Sequence, residues 1–417
     1  MQHLTTNKTA FGLITRRLND PRPILRFLHN ARQHEHRIDR AIIAYSHQVS
    51  EKAVAALRRE IRTDVVRAPG DPVLRDRLLG AGLTPDEVDG LLDVPSWPCY
   101  NEVPYGSYRN AVLLRALLGR VDYLLFFDTD IQPRVLTSCA DGRATWADAD
   151  FVGGHLDHLA PPDVVATSSN YSGYDIVPPL GFDGLEDLLV GLRKEAALDY
   201  LVDCDKHGCL NLGPQRPGQP VPTNKVLGGN LGLSLDAPWK LVPFFSATYA
   251  IDDRCVLGRG EDTLLGQATY TTMGLALDVD LHVFHDTYDD FPRAPDIKRK
   301  AIRNRFYRAC LGWIGRNPFL TWYLDQIGRL ETDFETAIER QREGLRIGAP
   351  KAARHLEDVR FKNLPAALGA SLATLPEMIE RYERLMVGWT ALVEVLHPET
   401  VRDVSPDERG GPVSMVA

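Results

Sequence analysis

No apolar stretch in this chain approaches the ~20 residues that a helix needs to cross a bilayer, so a membrane-spanning protein is not expected. Residues 1–10 are polar and no uninterrupted apolar run follows them, so a secretory signal is not expected either. Cysteine is scarce: Cys99, Cys139, Cys204, Cys209, Cys255 and Cys310 are scattered through 417 residues. A chain this large does not depend on disulfides for its core, and a reducing cytoplasm is the expected compartment. An excess of positive charge is missing as well. With 48 Lys and Arg against 56 Asp and Glu, the formal net charge is -8, which argues against a nucleic-acid partner, because phosphate-backbone affinity rests on clustered cations. Internal repeats and low-complexity tracts are absent.

What is present is ordinary globular material. The hydrophobic fraction of 44% and charged fraction of 25% exclude wholesale disorder, and the length suits one elaborated α/β domain or two domains sharing an interface. Short apolar runs alternate with helical periodicity. Residues 40–45 read as a strand, 46–50 as a turn and 51–61 as a helix; residues 63–67 read as a second strand, followed by helices at 72–79 and 84–92. Residues 108–118 form a strongly apolar helix leading into Val121-Asp-Tyr-Leu-Leu-Phe-Phe127, the clearest buried strand in the chain. The expected fold class is therefore α/β: a mostly parallel central sheet with helices on both faces, plus a helical C-terminal region. The boundaries read as a helical lead-in over 1–37, a catalytic domain over 38–290 and helices over 291–402, with a flexible tail over 403–417. Within the catalytic domain, 38–155 forms the first half and 156–290 the second. An insertion at about 161–224 carries one helix at 185–201. Strands are expected at 231–235 and 275–284.

Asp128 and Asp130 end the most apolar run. On an extended backbone two residues apart, both carboxylates would project to one side, about 6 to 7 Å apart. Their repulsion, roughly 2 to 3 kcal/mol at an effective dielectric near 20, is relieved by a divalent cation. Mg²⁺ or Mn²⁺ suits such oxygen ligands together with a diphosphate. An acidic protein repels a nucleotide diphosphate unless Arg, Lys or such a cation neutralises it locally, which points towards a metal. Three other Asp-x-Asp pairs, at 148/150, 203/205 and 278/280, end no comparable run and read as solvated turns. Cys204-Asp-Lys-His207-Gly-Cys209 lacks a fourth ligand and reads as a polar surface loop rather than a zinc site. Trp313, Trp322 and Tyr323 read as core.

Arg109-Asn110 on an apolar helix, then Asp122-Tyr-Leu-Leu-Phe-Phe-Asp-Thr-Asp130, Gly228-Gly229-Asn230-Leu-Gly232 and Gly260-Glu261-Asp262-Thr263 resemble, in order and spacing, the GT-A fold nucleotide-diphospho-sugar transferases of the glycosyltransferase family 2 type. The resemblance implies a metal-dependent glycosyltransferase (hexosyltransferase-like) that takes a nucleotide-sugar donor. Asp130 would ligate Mn²⁺ or Mg²⁺, Asp128 would contact the ribose or the metal, and His285 would complete the ligand set. Asp262 would be the general base of an inverting transfer, supported by Glu261. Arg109 and Tyr45 would face the nucleotide, and Gly228, Gly229 and Asn230 the sugar. Residues 44–50 carry none of the glycines of a nucleotidyltransferase or dehydrogenase loop. The alternatives are a nucleotidyltransferase or a catalytically silent nucleotide- or sugar-binding protein on the same fold. The acceptor is expected to be a small molecule, peptide or saccharide rather than a membrane polymer, and the C-terminal helices offer a surface for a homo-oligomer.

Overall fold

The computed structural model describes residues 7–93, 103–139, 143–201, 209–251, 254–272 and 274–398. In chain order the first elements are β1 (Thr9–Leu18), α1 (Arg22–Gln33), β2 (Arg40–Val49), α2 (Glu51–Glu60), β3 (Arg62–Arg67), α3 (Pro72–Ala81), α4 (Pro85–Leu92), α5 (Tyr105–Leu117) and β4 (Tyr123–Phe127). The middle of the chain supplies β5 (Ile131–Gln132), β6 (Arg134–Ser138), β7 (Ala144–Asp148), α6 (Phe151–Leu159), β8 (Val164–Ser168), β9 (Tyr171–Gly173), α7 (Leu185–Leu192), β10 (Val221–Pro222) and β11 (Asn230–Ser234). It closes with β12 (Thr248–Ile251), β13 (Arg254–Leu257), α8 (Glu261–Thr269), β14 (Leu275–Asp278) and β15 (Val283–His285), then the helices α9 (Lys300–Gln326), α10 (Phe334–His355), α11 (Leu364–Ala373) and α12 (Leu375–Leu396).

All five residues of β4 are buried, and their side chains alternate between two cores, Leu124 and Phe126 on one face, Tyr123, Leu125 and Phe127 on the other. That two-residue period belongs to a strand covered on both sides. The eight-stranded sheet runs β10-β14-β8-β11-β4-β1-β2-β3. Pairings β1–β2, β1–β4, β2–β3 and β8–β14 are parallel, while β11 opposes both its neighbours and β10 opposes β14. The expected α/β class, with helices on both faces and more beyond, is what the chain adopts. Helices α3, α4, α5 and α12 cover one face through Leu78, Leu91, Val112 and Leu385; α1, α2 and α6 cover the other through Phe27, Leu57 and Phe151. A third core gathers α7, α9, α10 and α11 around Leu189, Trp313, Leu345 and Leu368.

Several expected elements are corrected. The lead-in over 1–37 is not simply helical, because β1 precedes α1 and lies at the centre of the sheet between β4 and β2. The strand read as the first is therefore the second. It also continues through the expected turn at 46–50, with Val49 still paired to Leu18. The stretch 161–224 is not wholly an insertion, since β8 within it is a main-sheet strand. The helix at 185–201 is interrupted after Leu192, where Arg193 takes a left-handed backbone (φ 51°), and helical backbone resumes over 197–201. The strand at 275–284 breaks in two: Asp278 Oδ1 accepts the Asp280 N–H at 2.9 Å, Asp280 turns left-handed (φ 51°), and the chain leaves the main sheet. Trp313 and Tyr323 lie in the core and Trp322 packs against it. Cys209 and Cys255 each take part in a disulfide, which the scattered spacing did not suggest; Cys139 and Cys310 are free. Asp203, Asp205, Cys204, His207 and the tail over 403–417 fall outside the described residues.

Candidate active site

The parallel strands β1, β2, β3 and β4 end at one edge of the sheet, where α/β sheets bind ligands. The pairing of β4 with β11 brings the second glycine-rich segment to that edge: Asn230 sits opposite Phe127, so Gly228 and Gly229 stand beside Asp128. A small sheet, β5-β15-β9, closes over the same edge. There His285 pairs with Ile131 and Gly173, and the Asp286 N–H donates to the Asp130 carbonyl at 3.1 Å. Residues more than 150 positions apart thus become neighbours by backbone register alone.

Two carboxylates leave β4 and part company. The chain turns after Asp128, with the Ile131 N–H donating to the Asp128 carbonyl at 3.2 Å, so the extended geometry that would have aligned Asp128 with Asp130 is lost. Asp128 Oδ1 takes a hydrogen bond from Arg109 Nη2 at 3.2 Å. Asp130 Oδ2 lies 3.2 Å from His285 Nε2 and 3.6 Å from Arg305 Nη2. Among the described residues no three His, Cys, Asp or Glu side chains gather in metal-binding geometry. Of the three residues expected to converge on one ion, the structure brings Asp130 and His285 into contact, while Asp128 is hydrogen-bonded to Arg109.

Arg109 is the hub of the second cluster. Only 2% exposed, it donates through Nε to Glu261 Oε1 at 2.9 Å and through Nη1 to the Gly228 carbonyl at 2.8 Å. With Nη2 on Asp128, three of its five N–H donors are committed to protein groups, and it positions Asp128 and Glu261. Gly228 returns the connection, its N–H donating to Asp262 Oδ2 at 2.9 Å, while Asp262 Oδ1 accepts from the Thr263 N–H at 2.7 Å. A β-carbon on Gly228 would meet Arg109 Nη2 at 2.4 Å, and one on Gly229 would meet Asp128 Oδ2 at 2.7 Å. These glycines are needed for close approach to protein groups. The Gly229 N–H donates to the Tyr171 hydroxyl at 3.0 Å.

Asn230 is wholly buried and turned away from any sugar. Its Nδ2 donates to the carbonyls of Leu281 (2.8 Å) and Asn170 (3.2 Å), and its Oδ1 faces His155 Nε2 at 3.1 Å. Every polar atom is satisfied internally, so the expected sugar contact is corrected to a structural role. Tyr45 stands at the right edge of the sheet, paired to Thr15 two strands from β4, and next to it Ser46 accepts the Tyr108 hydroxyl.

Burial sets the electrostatics and the ion pairs decide its outcome. Burial pushes the Asp128 carboxyl up, against the pull of Arg109, and Asp130 adds to the rise. Glu261 is raised by burial and by Asp262, against Arg109. Burial would raise Asp130 too, but His285 and Arg305 outweigh it and hold this carboxyl below the usual range. For Arg109, burial works against the charge and the surrounding carboxylates overcome it, so the guanidinium stays protonated.

The His285–Asp130 pair fits a divalent cation for a reason of tautomer. The Thr287 hydroxyl donates to the Tyr174 carbonyl at 2.6 Å, which leaves its oxygen to accept from His285 Nδ1 at 3.2 Å. Without a cation the ring faces Asp130 as an ion-pair partner; with a cation bound, a proton on Nδ1 would leave the Nε2 lone pair to ligate it beside the carboxylate. Carboxylate oxygen and imidazole nitrogen are a donor set suited to Mn²⁺, and Mg²⁺ takes few protein ligands when a diphosphate supplies the rest. Arg305, Thr287 and Tyr171 are site residues that the sequence reading missed. A cavity of about 300 Å³ lined by Asp148, Asp150, Asp280 and His282 shares none of these side chains.

No protein-family model matches the chain, and no curated protein matches it. Among solved structures, glucosyl-3-phosphoglycerate synthase from Mycobacterium tuberculosis, in complex with Mn²⁺, UDP and phosphoglyceric acid, is 14% identical with a TM-score of 0.34, covering 73% of this chain and 79% of that one. The same enzyme in another crystal structure is 15% identical, again with a TM-score of 0.34 and the same coverage. A mycobacterial protein is 14% identical with a TM-score of 0.32, covering 75% of each chain. Likeness this distant assigns no donor, acceptor or residue role here.

Proposed function

We propose that this chain is a metal-dependent glycosyltransferase that moves a sugar from a nucleotide-sugar to an acceptor hydroxyl or similar nucleophile. The observation that carries the reading is the Asp130–His285 pair at 3.2 Å, held by β5–β15 pairing at the ligand-binding edge of the sheet and oriented through Thr287. Asp130 and His285 would hold Mn²⁺ or Mg²⁺, and Arg305 adds a guanidinium facing the same carboxylate. When bound, the cation supplies charge neutralisation for the departing nucleoside diphosphate.

The remaining chemistry belongs to side chains of this chain. Asp262 is the general base: each carboxylate oxygen accepts a backbone N–H, fixing the group while leaving lone pairs for a proton. It takes the acceptor's proton as the acceptor oxygen attacks the anomeric carbon, and the bond to the diphosphate breaks on the opposite side, inverting the configuration. Glu261 does not meet substrate; it anchors Arg109, which holds Asp128 and the Gly228 carbonyl in register.

The decisive measurement is hydrolysis and binding of UDP-, GDP- and dTDP-sugars by the full chain with Mn²⁺ and with EDTA. Metal-dependent turnover of one donor is expected. Metal-dependent binding without turnover would favour a silent binding protein, and absence of both would reject the reading.

A further inference from the structure

Helix α9 lies across the site and carries two arginines on one face. Arg305 and Arg316 are eleven positions apart, about three helical turns, which returns the side chain to within roughly 20° of the same direction and separates the two by ~16 Å along the axis. Arg305 faces Asp130. Arg316 faces the other end of the site, against the turn before α8: a β-carbon on Gly260 would meet Arg316 Cδ at 2.8 Å and Nη1 at 2.9 Å. Asp262 follows two residues later. The donor's diphosphate belongs at the Arg305 end and the proton acceptor at the Arg316 end.

Arg316 is short of partners. It is 5% exposed, its Nη2 donates to Asn317 Oδ1 at 2.9 Å, and its Nε is buried with no hydrogen bond. Among the described residues no carboxylate forms an ion pair with it. Lys194 is in the same position: its ammonium sits 4.7 Å from the Trp313 ring centroid, one turn from Arg316 on α9, and among the described residues it too has no ion pair. Burial pushes Arg316 down to about 10, helped by Arg193 and opposed by Asp262, and pushes Lys194 down to about 8, with Arg316 adding to the fall and Asp175 and Asp262 opposing it. A desolvated guanidinium without a counter-ion is costly, and a second cation beside it raises the cost. An oxyanion removes it, with a phosphate or carboxylate matching the guanidinium fork.

We infer that Arg316 and Lys194 form an anion subsite beside Asp262, and that the sugar acceptor carries a phosphate or carboxylate group which this subsite holds. Its assignment to the acceptor rests on the glycosyltransferase reading, which makes Asp262 the base; the subsite itself does not.

The test is calorimetric titration of inorganic phosphate and of malonate into the full chain saturated with Mn²⁺ and whichever of UDP, GDP or dTDP it binds. At least one anion should bind, the tighter of the two identifying the acceptor's charged group. Its affinity should fall at least tenfold in Lys194→Gln and in Arg316→Gln, with nucleotide affinity unchanged within twofold. Arg316→Lys, which keeps the charge, should retain more affinity than Arg316→Gln, and Lys194→Gln reads out the subsite if the buried arginine proves necessary for folding. Anion affinity that is absent from the parent chain, or equal in parent and variants, overturns the subsite. Absence of metal-dependent nucleotide binding would instead remove the donor reading, and anion loss in both variants would then still uphold the subsite.

Discussion

His285 is fixed by Thr287 on one ring nitrogen and faces Asp130 with the other, so its orientation is as testable as its presence. Asp130→Ala and His285→Gln should each remove metal-dependent nucleotide affinity by at least tenfold. Thr287→Val, which keeps the shape and loses the hydroxyl, should weaken Mn²⁺ affinity by about 10-fold or more, as expected of a group that orients a ligand; titration of Mn²⁺ by electron paramagnetic resonance reads all three. An unchanged Mn²⁺ affinity in His285→Gln would mean that the imidazole is only an ion-pair partner. Asp262→Asn should keep nucleotide affinity and lose transfer by about 10²- to 10⁴-fold, and loss of nucleotide affinity instead would show that Asp262 serves the donor. Legibility at this scale followed adjacency in sequence. Asp128, Asp130, Glu261 and Asp262 stood out because each pair ends an apolar run or opens a helix. Arg305 and Thr287 did not, because one arginine among many in a helix and one threonine after a strand carry no signal until register brings them to Asp130. Asn230 misled in the opposite sense: an amide in a glycine-rich segment suggested sugar contact, whereas its donors are consumed in the core.

Among the elements, α12 is tied to the sheet domain through a buried ion pair. Arg381 donates through Nε and Nη2 to Asp93 at 2.9 to 3.2 Å and through Nη1 to the Thr248 hydroxyl at 2.7 Å. Removing one partner leaves an uncompensated buried charge, so Arg381→Ala should cost about 3 to 5 kcal/mol in urea unfolding. The double variant Asp93→Leu, Arg381→Met should recover part of that loss, whereas strictly additive costs would deny the coupling. Helix α12 shares its core with β4 and α5, so the C-terminal helices are not an appendage. The apolar strand β4 announced itself because both its faces are buried. Strand β1 did not, because its apolar run is interrupted: Gly12 stands where a β-carbon would meet the Phe126 ring at 2.9 Å. The end of β1, Thr15-Arg-Arg17, is polar because it runs out to the exposed edge, which hid the strand that orders the rest of the sheet.

At the scale of the whole molecule, stability should depend on pH through His155. This imidazole is fully buried between Thr167 and Asn230, and burial lowers its pKa to about 4, against about 6.5 in an unfolded chain. The unfolded state therefore binds the extra proton between those values. The stabilisation is complete above pH ~6.5 and is lost as the pH falls towards 4, roughly 3 kcal/mol in all. Urea midpoints at pH 7 and pH 4.5 should differ more for the parent than for His155→Gln; equal differences would place the acid sensitivity elsewhere. The three-stranded β5-β15-β9 sheet has a further consequence for how the protein comes into being. Because Asp130 meets His285 through strands that follow one another at long intervals, and Arg305 arrives later still, a chain emerging from the ribosome carries Asp130 long before the imidazole that faces it exists. On the proposed metal site, capture of the cation would then be among the last events of biosynthesis, and a prematurely terminated product would hold much of the sheet without the His285 half of the site.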